Sequence, residues 1–180
     1  MQPTLDDPVV KQPIENINSI TTILKPEFPK PFEETKWLVM SSCTFLIPAV
    51  YAFVSSLYLY GCVSLFTMLF SINHWRDAED GIRRAVDCHA ARICFVVFFV
   101  SGCIYCRDIY LYVYGIPITI ITVALFLISN HLSIQGYNRW YFAHMLFHLS
   151  VIVSESLIIY CIIQDRDQIA ATCGLVELNK

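Results

Sequence analysis

Five side chains in this sequence are of types that together carry out hydrolytic chemistry: Ser71, His74, Asp87, His144 and His148. His144 and His148 stand four apart in the apolar run WYFAHMLFHLSVIVSESLIIYCII, residues 140–163. On a helix they share one face and can offer two imidazoles to one ion. Glu155 follows seven residues later on the same face. Ionisable groups inside a span-length apolar helix are costly, so a functional role is the first reading. The competing reading is a structural seam, in which neighbouring helices satisfy each ring. The HxxxH spacing alone does not separate the two.

Three neutral imidazoles with a fourth position left for water are the ligand set of a catalytic zinc, which lowers the pKa of that water to about 7. With His74, His144 and His148 as ligands, Asp87 is placed to orient or deprotonate the water, and Ser71 to donate to a developing oxyanion. Ser71 precedes His74 by three residues and so shares its helical face, about one turn deeper. Plainer roles stand beside these. His74 adjoins Trp75 and Arg76 and reads equally as an interfacial ring, and Asp87 stands at pairing distance along a helix from Arg83 and Arg84. His89 and His131 are alternatives to His74 as third ligand. Glu155 lies about 10 Å from His148 at helical rise, too far for the same ion. It is expected to hydrogen-bond to Ser154, Ser156 or another span.

The elements that must position these residues follow from hydropathy. The 180 residues are 56% apolar and 15% charged, against about 25% charged in soluble domains. The composition predicts an all-α, polytopic transmembrane helix bundle of about five spans. Residues 1–36 form a Pro-rich arm, 37–164 the bundle and 165–180 a short tail. The stretch 37–73 has no charge and is long enough for two short spans with a turn near Ser55 to Gly61. The charged stretch 74–92 is a loop leading to a third span, Ile93 to Cys106. Arg107 and Asp108 mark a reversal, and Ile109 to Asn130 is a fourth span kinked at Pro117. A link, His131 to Arg139, leads to the fifth. Cys43, Cys62, Cys94 and Cys161 fall in apolar runs as small hydrophobes, and the Cys103/Cys106 pair has no second pair to complete a metal site.

A net charge of −3 with no basic run excludes nucleic acid as a partner and leaves membrane lipid. Of the twelve Lys and Arg residues, nine fall in the arm and in the loops after spans two and four, which predicts a cytosolic amino terminus and an extracytosolic carboxyl terminus. Two spans separate His74 and Asp87 from His144 and His148. All four therefore belong at one membrane face, on the cytosolic side.

A Ser and a His late in an early span, an Asp at the start of the next and HxxxH in the final span together resemble the CREST superfamily of membrane hydrolases, which includes alkaline ceramidases and the progestin and adiponectin receptor family. The resemblance implies that His74, His144 and His148 hold a zinc ion, that Ser71 and Asp87 flank its water, and that the substrate is a lipid amide or ester. The alternatives are a non-enzymatic small multi-pass protein, a receptor or assembly factor with structural histidines, and a haem protein with two histidines as axial ligands.

Overall fold

The computed structural model describes residues 30–106 and 110–172, and these are helical throughout, with no strand among them. The first helix, α1 (Phe32–Cys43), breaks at Thr44 and Phe45 before α2 (Leu46–Val54). Pro48 is the cause: it cannot donate a backbone hydrogen bond, and its ring crowds the carbonyl four residues back, that of Thr44. A turn at residues 55–57, with Ser56 in the left-handed region at φ 61°, leads into α3 (Tyr58–Trp75). The hairpin closes tightly because Gly61 has no side chain; a Cβ there would lie 2.8 Å from the Phe53 ring.

Next come α4 (Ile82–Tyr105), a single π-helical segment (Tyr110–Gly115) running into α5 (Ile116–Ile134), and α6 (Trp140–Thr172). Pro117 sits in the first turn of α5, and the wide π turn lies just ahead of the residue that lacks an N–H. The irregularity at this point is the π segment that precedes Pro117, which itself falls in the first turn of α5 rather than in its interior. Several boundaries differ from the hydropathy reading. Residues 32–36 are already helical, α4 begins eleven residues before Ile93, and α6 runs past residue 164 to Thr172. Hydropathy marks where a helix meets lipid rather than where it starts, so charged helical ends look like loops. Residues 1–29 of the arm, the reversal at Arg107 and Asp108, and the end of the tail lie outside the described residues.

Four segments are long and apolar enough to cross a membrane: Phe32–Val54, Ile82–Tyr105, Tyr110–Ile134 and Trp140–Thr172. The remaining helix, α3, is less apolar because its buried face is built from Gly61, Ser64, Thr67, Ser71 and His74. The α1–α2 rod, α3, α4 and α6 form a four-membered ring, while α5 packs against α6 on the outside. At one end of the bundle, the Lys30 N–H donates to the Ala78 carbonyl (3.2 Å) and the Trp140 indole to Glu34 (3.0 Å). At the other, Arg166 donates to the Ser55 carbonyl at 3.0 Å. These contacts put the starts of α1 and α6 beside the α3–α4 loop, so the described residues pass along the bundle five times.

The bundle interior mixes apolar clusters, such as Phe98, Ile158 and Ile159, with buried small polar residues, while most of its outer surface is apolar. Thr122, Ser129 and Ser133 are buried on α5, while Ile120, Ile121, Phe126 and Leu127 are exposed. Such a surface suits a hydrocarbon solvent, in which small and polar residues join helices and apolar ones face lipid. The chain is an integral membrane protein.

Candidate functional site

At the Lys30 end, α6 carries His144 and His148 on successive turns, with ring centroids 4.8 Å apart and planes inclined at 72°. Each ring is fixed by a serine from a different helix. His148 is buried, and its Nδ1 lies 2.8 Å from Ser41 Oγ on α1. Ser41 donates its own proton to the Leu38 carbonyl (3.0 Å). With that proton on Leu38 the hydroxyl oxygen accepts from Nδ1–H, and in this tautomer Nε2 keeps its lone pair; in the other, Ser41 donates to Nδ1. His144 Nδ1 lies 3.0 Å from Ser129 Oγ on α5. Phe45, at the α1–α2 break, packs edge-on against His148 at 5.5 Å.

His74, at the end of α3, is buried beside this pair. Its ring centroid is 4.5 Å from that of Trp75, which in turn stands 5.1 Å from the His144 ring and 5.8 Å from Trp140. The charged groups facing His74 are Arg84 and Asp80. His74 is a member of the bundle core rather than a ring among headgroups.

Ser71 is buried one turn away, where it bonds to Ser42 across the α1–α3 contact at 2.9 Å. Ser42 Oγ also lies 2.7 Å from the Leu38 carbonyl. Ser71 thus holds α3 to α1 in this arrangement, with its hydroxyl bonded to Ser42. Asp87 is half-buried on the second turn of α4. Among the described residues its carboxylate has no hydrogen bond or ion pair, and Arg83 and Arg84 pair instead with Asp77 and Asp80. His89 and His131 are exposed, unlike the buried His74 and His148.

The donor set fits a metal in part. A ligating histidine almost always gives its second ring N–H to an oxygen and presents the other nitrogen; His148 and His144 each have a serine hydroxyl in that place. As arranged, however, no three His, Cys, Asp or Glu side chains among the described residues form a group able to hold one ion.

Deeper in the bundle, Glu155 is 1% exposed. Ser64 of α3 donates to one carboxyl oxygen at 2.6 Å and Cys94 of α4 to the other at 3.0 Å. Of the partners expected for Glu155, the neighbouring spans provide both, and Cys94 is a hydrogen-bond donor rather than a mere apolar filler. Cys103 is exposed, Cys106 is buried, and both are free thiols. The serines that orient the imidazoles were not picked out by sequence reasoning. A signal existed for α3 in the three- and four-residue spacing of its small polar residues; Ser41 and Ser129 carried none of comparable strength. Comparison with protein-family models, with curated proteins and with solved structures finds no match to this chain.

Proposed function

We propose that this chain is a zinc-dependent integral-membrane hydrolase acting on a lipid amide or ester, at the bundle end that holds His74, His144 and His148. The observation that carries the reading is the 2.8 Å contact of Ser41 Oγ with His148 Nδ1, the outer oxygen partner that a ligating histidine has on one ring nitrogen while the other is left for the ion. The resemblance to the CREST superfamily supports the same residues, although S-I-N-H at 71–74 is one residue shorter than the SxxxH of that pattern and those proteins commonly have seven spans. His144 and His148 are the two ligands already paired, and His74 is the third. Asp87, whose carboxylate is uncommitted, is the group to accept a proton at the reaction centre. A bound zinc would supply a water acidic enough to be a nucleophile near neutral pH. The count of basic residues puts this end in the cytosol.

A second reading, a non-enzymatic bundle with structural histidines, draws on the same geometry. Both α6 rings are already satisfied by serines of other helices, and no three-donor group is assembled.

Zinc content of the detergent-purified protein decides between them. On the hydrolase reading it is about one per chain. His74→Ala, His144→Ala and His148→Ala each lose it, Asp87→Asn keeps the metal and loses turnover, and His89→Ala and His131→Ala change neither. A parent protein that binds no zinc would falsify the hydrolase.

A further inference from the structure

Beside the histidine cluster, at the same end of the bundle, lies a cavity of about 210 Å³. It is bounded by the start of α1 and by the α5–α6 link, and its lining includes Lys30, Glu34, Tyr137, Asn138 and Trp140. Two opposite charges are held there by one indole. The Lys30 ammonium sits over the Trp140 ring, 5.4 Å from its centroid, and the Trp140 N–H binds the Glu34 carboxylate at 3.0 Å. Lys30 is further fixed through its backbone bond to Ala78. Gly136, at φ 66°, leaves open space on the link side, where an added Cβ would meet nothing within 4 Å.

We propose that this cavity binds the phosphoethanolamine headgroup of a membrane phospholipid. The phosphate meets Lys30 and the Asn138 amide, and the primary ammonium donates to Glu34. The cavity opens to the surroundings, so a headgroup can enter it while its acyl chains stay outside. Depth agrees with this choice, because tryptophan belongs at the membrane–water interface, where headgroups lie. Charge favours a zwitterion over a plain anion, since Glu34 repels a second negative group and charge-assisted hydrogen bonds reward an ammonium. The site stands without the hydrolase reading. Taken with it, Trp140 also contacts the His144 ring, 6.3 Å between centroids, and so borders both the cavity and the cluster.

The test is lipid retention. The full-length protein is reconstituted in vesicles of equal phosphatidylethanolamine and phosphatidylglycerol, extracted in mild detergent, and its bound lipid measured by mass spectrometry. The expected result is about tenfold enrichment of phosphatidylethanolamine, the scale of one charge-assisted hydrogen bond. Soluble phosphoethanolamine should displace it. Glu34→Gln keeps an acceptor for the Trp140 N–H and removes the charge, so the fold survives and the enrichment is lost. Lys30→Gln removes the other charge and weakens retention without touching the Glu34–Trp140 bond. Lipid bound in the bulk ratio, enrichment of phosphatidylglycerol, enrichment unchanged in both variants, or no competition by the soluble headgroup would each overturn the proposal.

Discussion

Removing the Glu155 carboxyl tests whether this buried acid is there to join helices. It reaches Ser64 on α3 and Cys94 on α4 from α6, and α3 and α6 face each other across the helix ring. Glu155→Leu deletes both bonds. Side-chain hydrogen bonds inside membrane proteins average about 0.6 kcal/mol, so the pair contributes roughly 1 kcal/mol. The larger cost is the Ser64 hydroxyl, which is fully buried and would lose its partner, at about 1–3 kcal/mol. The expected destabilisation is therefore about 2–4 kcal/mol. Glu155→Gln keeps a carbonyl acceptor and gains an amide donor, and should stay within about 1 kcal/mol of the parent. Adding Ser64→Ala to Glu155→Leu removes the stranded hydroxyl and should recover 1 kcal/mol or so. Unfolding in mixed detergent and dodecyl sulfate micelles, followed by circular dichroism, gives all four corners of the cycle. If Ser64→Ala costs the same with and without Glu155→Leu, the bond does not hold the bundle together. Equal loss in the Gln and Leu variants would instead mean that a charge is required.

Three further outcomes are expected. On the hydrolase reading, Ser41→Ala frees the His148 ring to rotate and should weaken zinc retention by about 10- to 100-fold, the usual effect of losing a ligand's outer hydrogen bond, while helix content is unchanged. Gly61→Ala pushes a methyl group into the Phe53 ring and should destabilise by about 1–3 kcal/mol, whereas the same change at Gly102, where a Cβ meets only the end of Ile158 at 3.3 Å, should cost less, both read from the unfolding midpoint. Reporter domains fused at Met1 and at Lys180 should be found on opposite sides of the membrane, with Met1 cytosolic; a common side would contradict the odd number of passes.

Hydropathy was enough to anticipate a helical membrane bundle, because lipid imposes one dominant constraint on composition, and four of the helices are apolar enough to span. It was poor at helix ends. The residues 82–92 are charged enough to look like a loop, yet they extend α4 outward by three turns. The site was legible where its residues are rare in spans: His74, His144 and His148 do gather at one end, as the parity of spans required. Ser41, Ser129, Ser64 and Cys94 were not, since Ser and Cys are common in apolar helices and are nearly neutral in hydropathy. Their roles depend on which helix lies opposite, a long-range fact that a single sequence does not state. Asp87 shows the converse: it was legible as a charge, but the arginines nearest in sequence pair elsewhere.

The arrangement along α6 also determines whether its two polar sites are coupled. His148 and Glu155 are both buried, and between them on the same face stands Ile152, itself 5% exposed. Seven residues of helix separate the two by about 10 Å. Their hydrogen bonds run to different partners, to Ser41 on α1 for His148 and to Ser64 and Cys94 on α3 and α4 for Glu155. Sites at that separation with no shared partner are additive to within about 0.5 kcal/mol. The stability of the double variant His148→Ala/Glu155→Gln should consequently equal the sum of the single losses, and on the hydrolase reading Glu155→Gln should leave zinc content untouched. A coupling above 1 kcal/mol or so would mean that the apolar layer at Ile152 does not insulate the two sites, and that the polar face of α3, through Thr67 and Ser71, connects them.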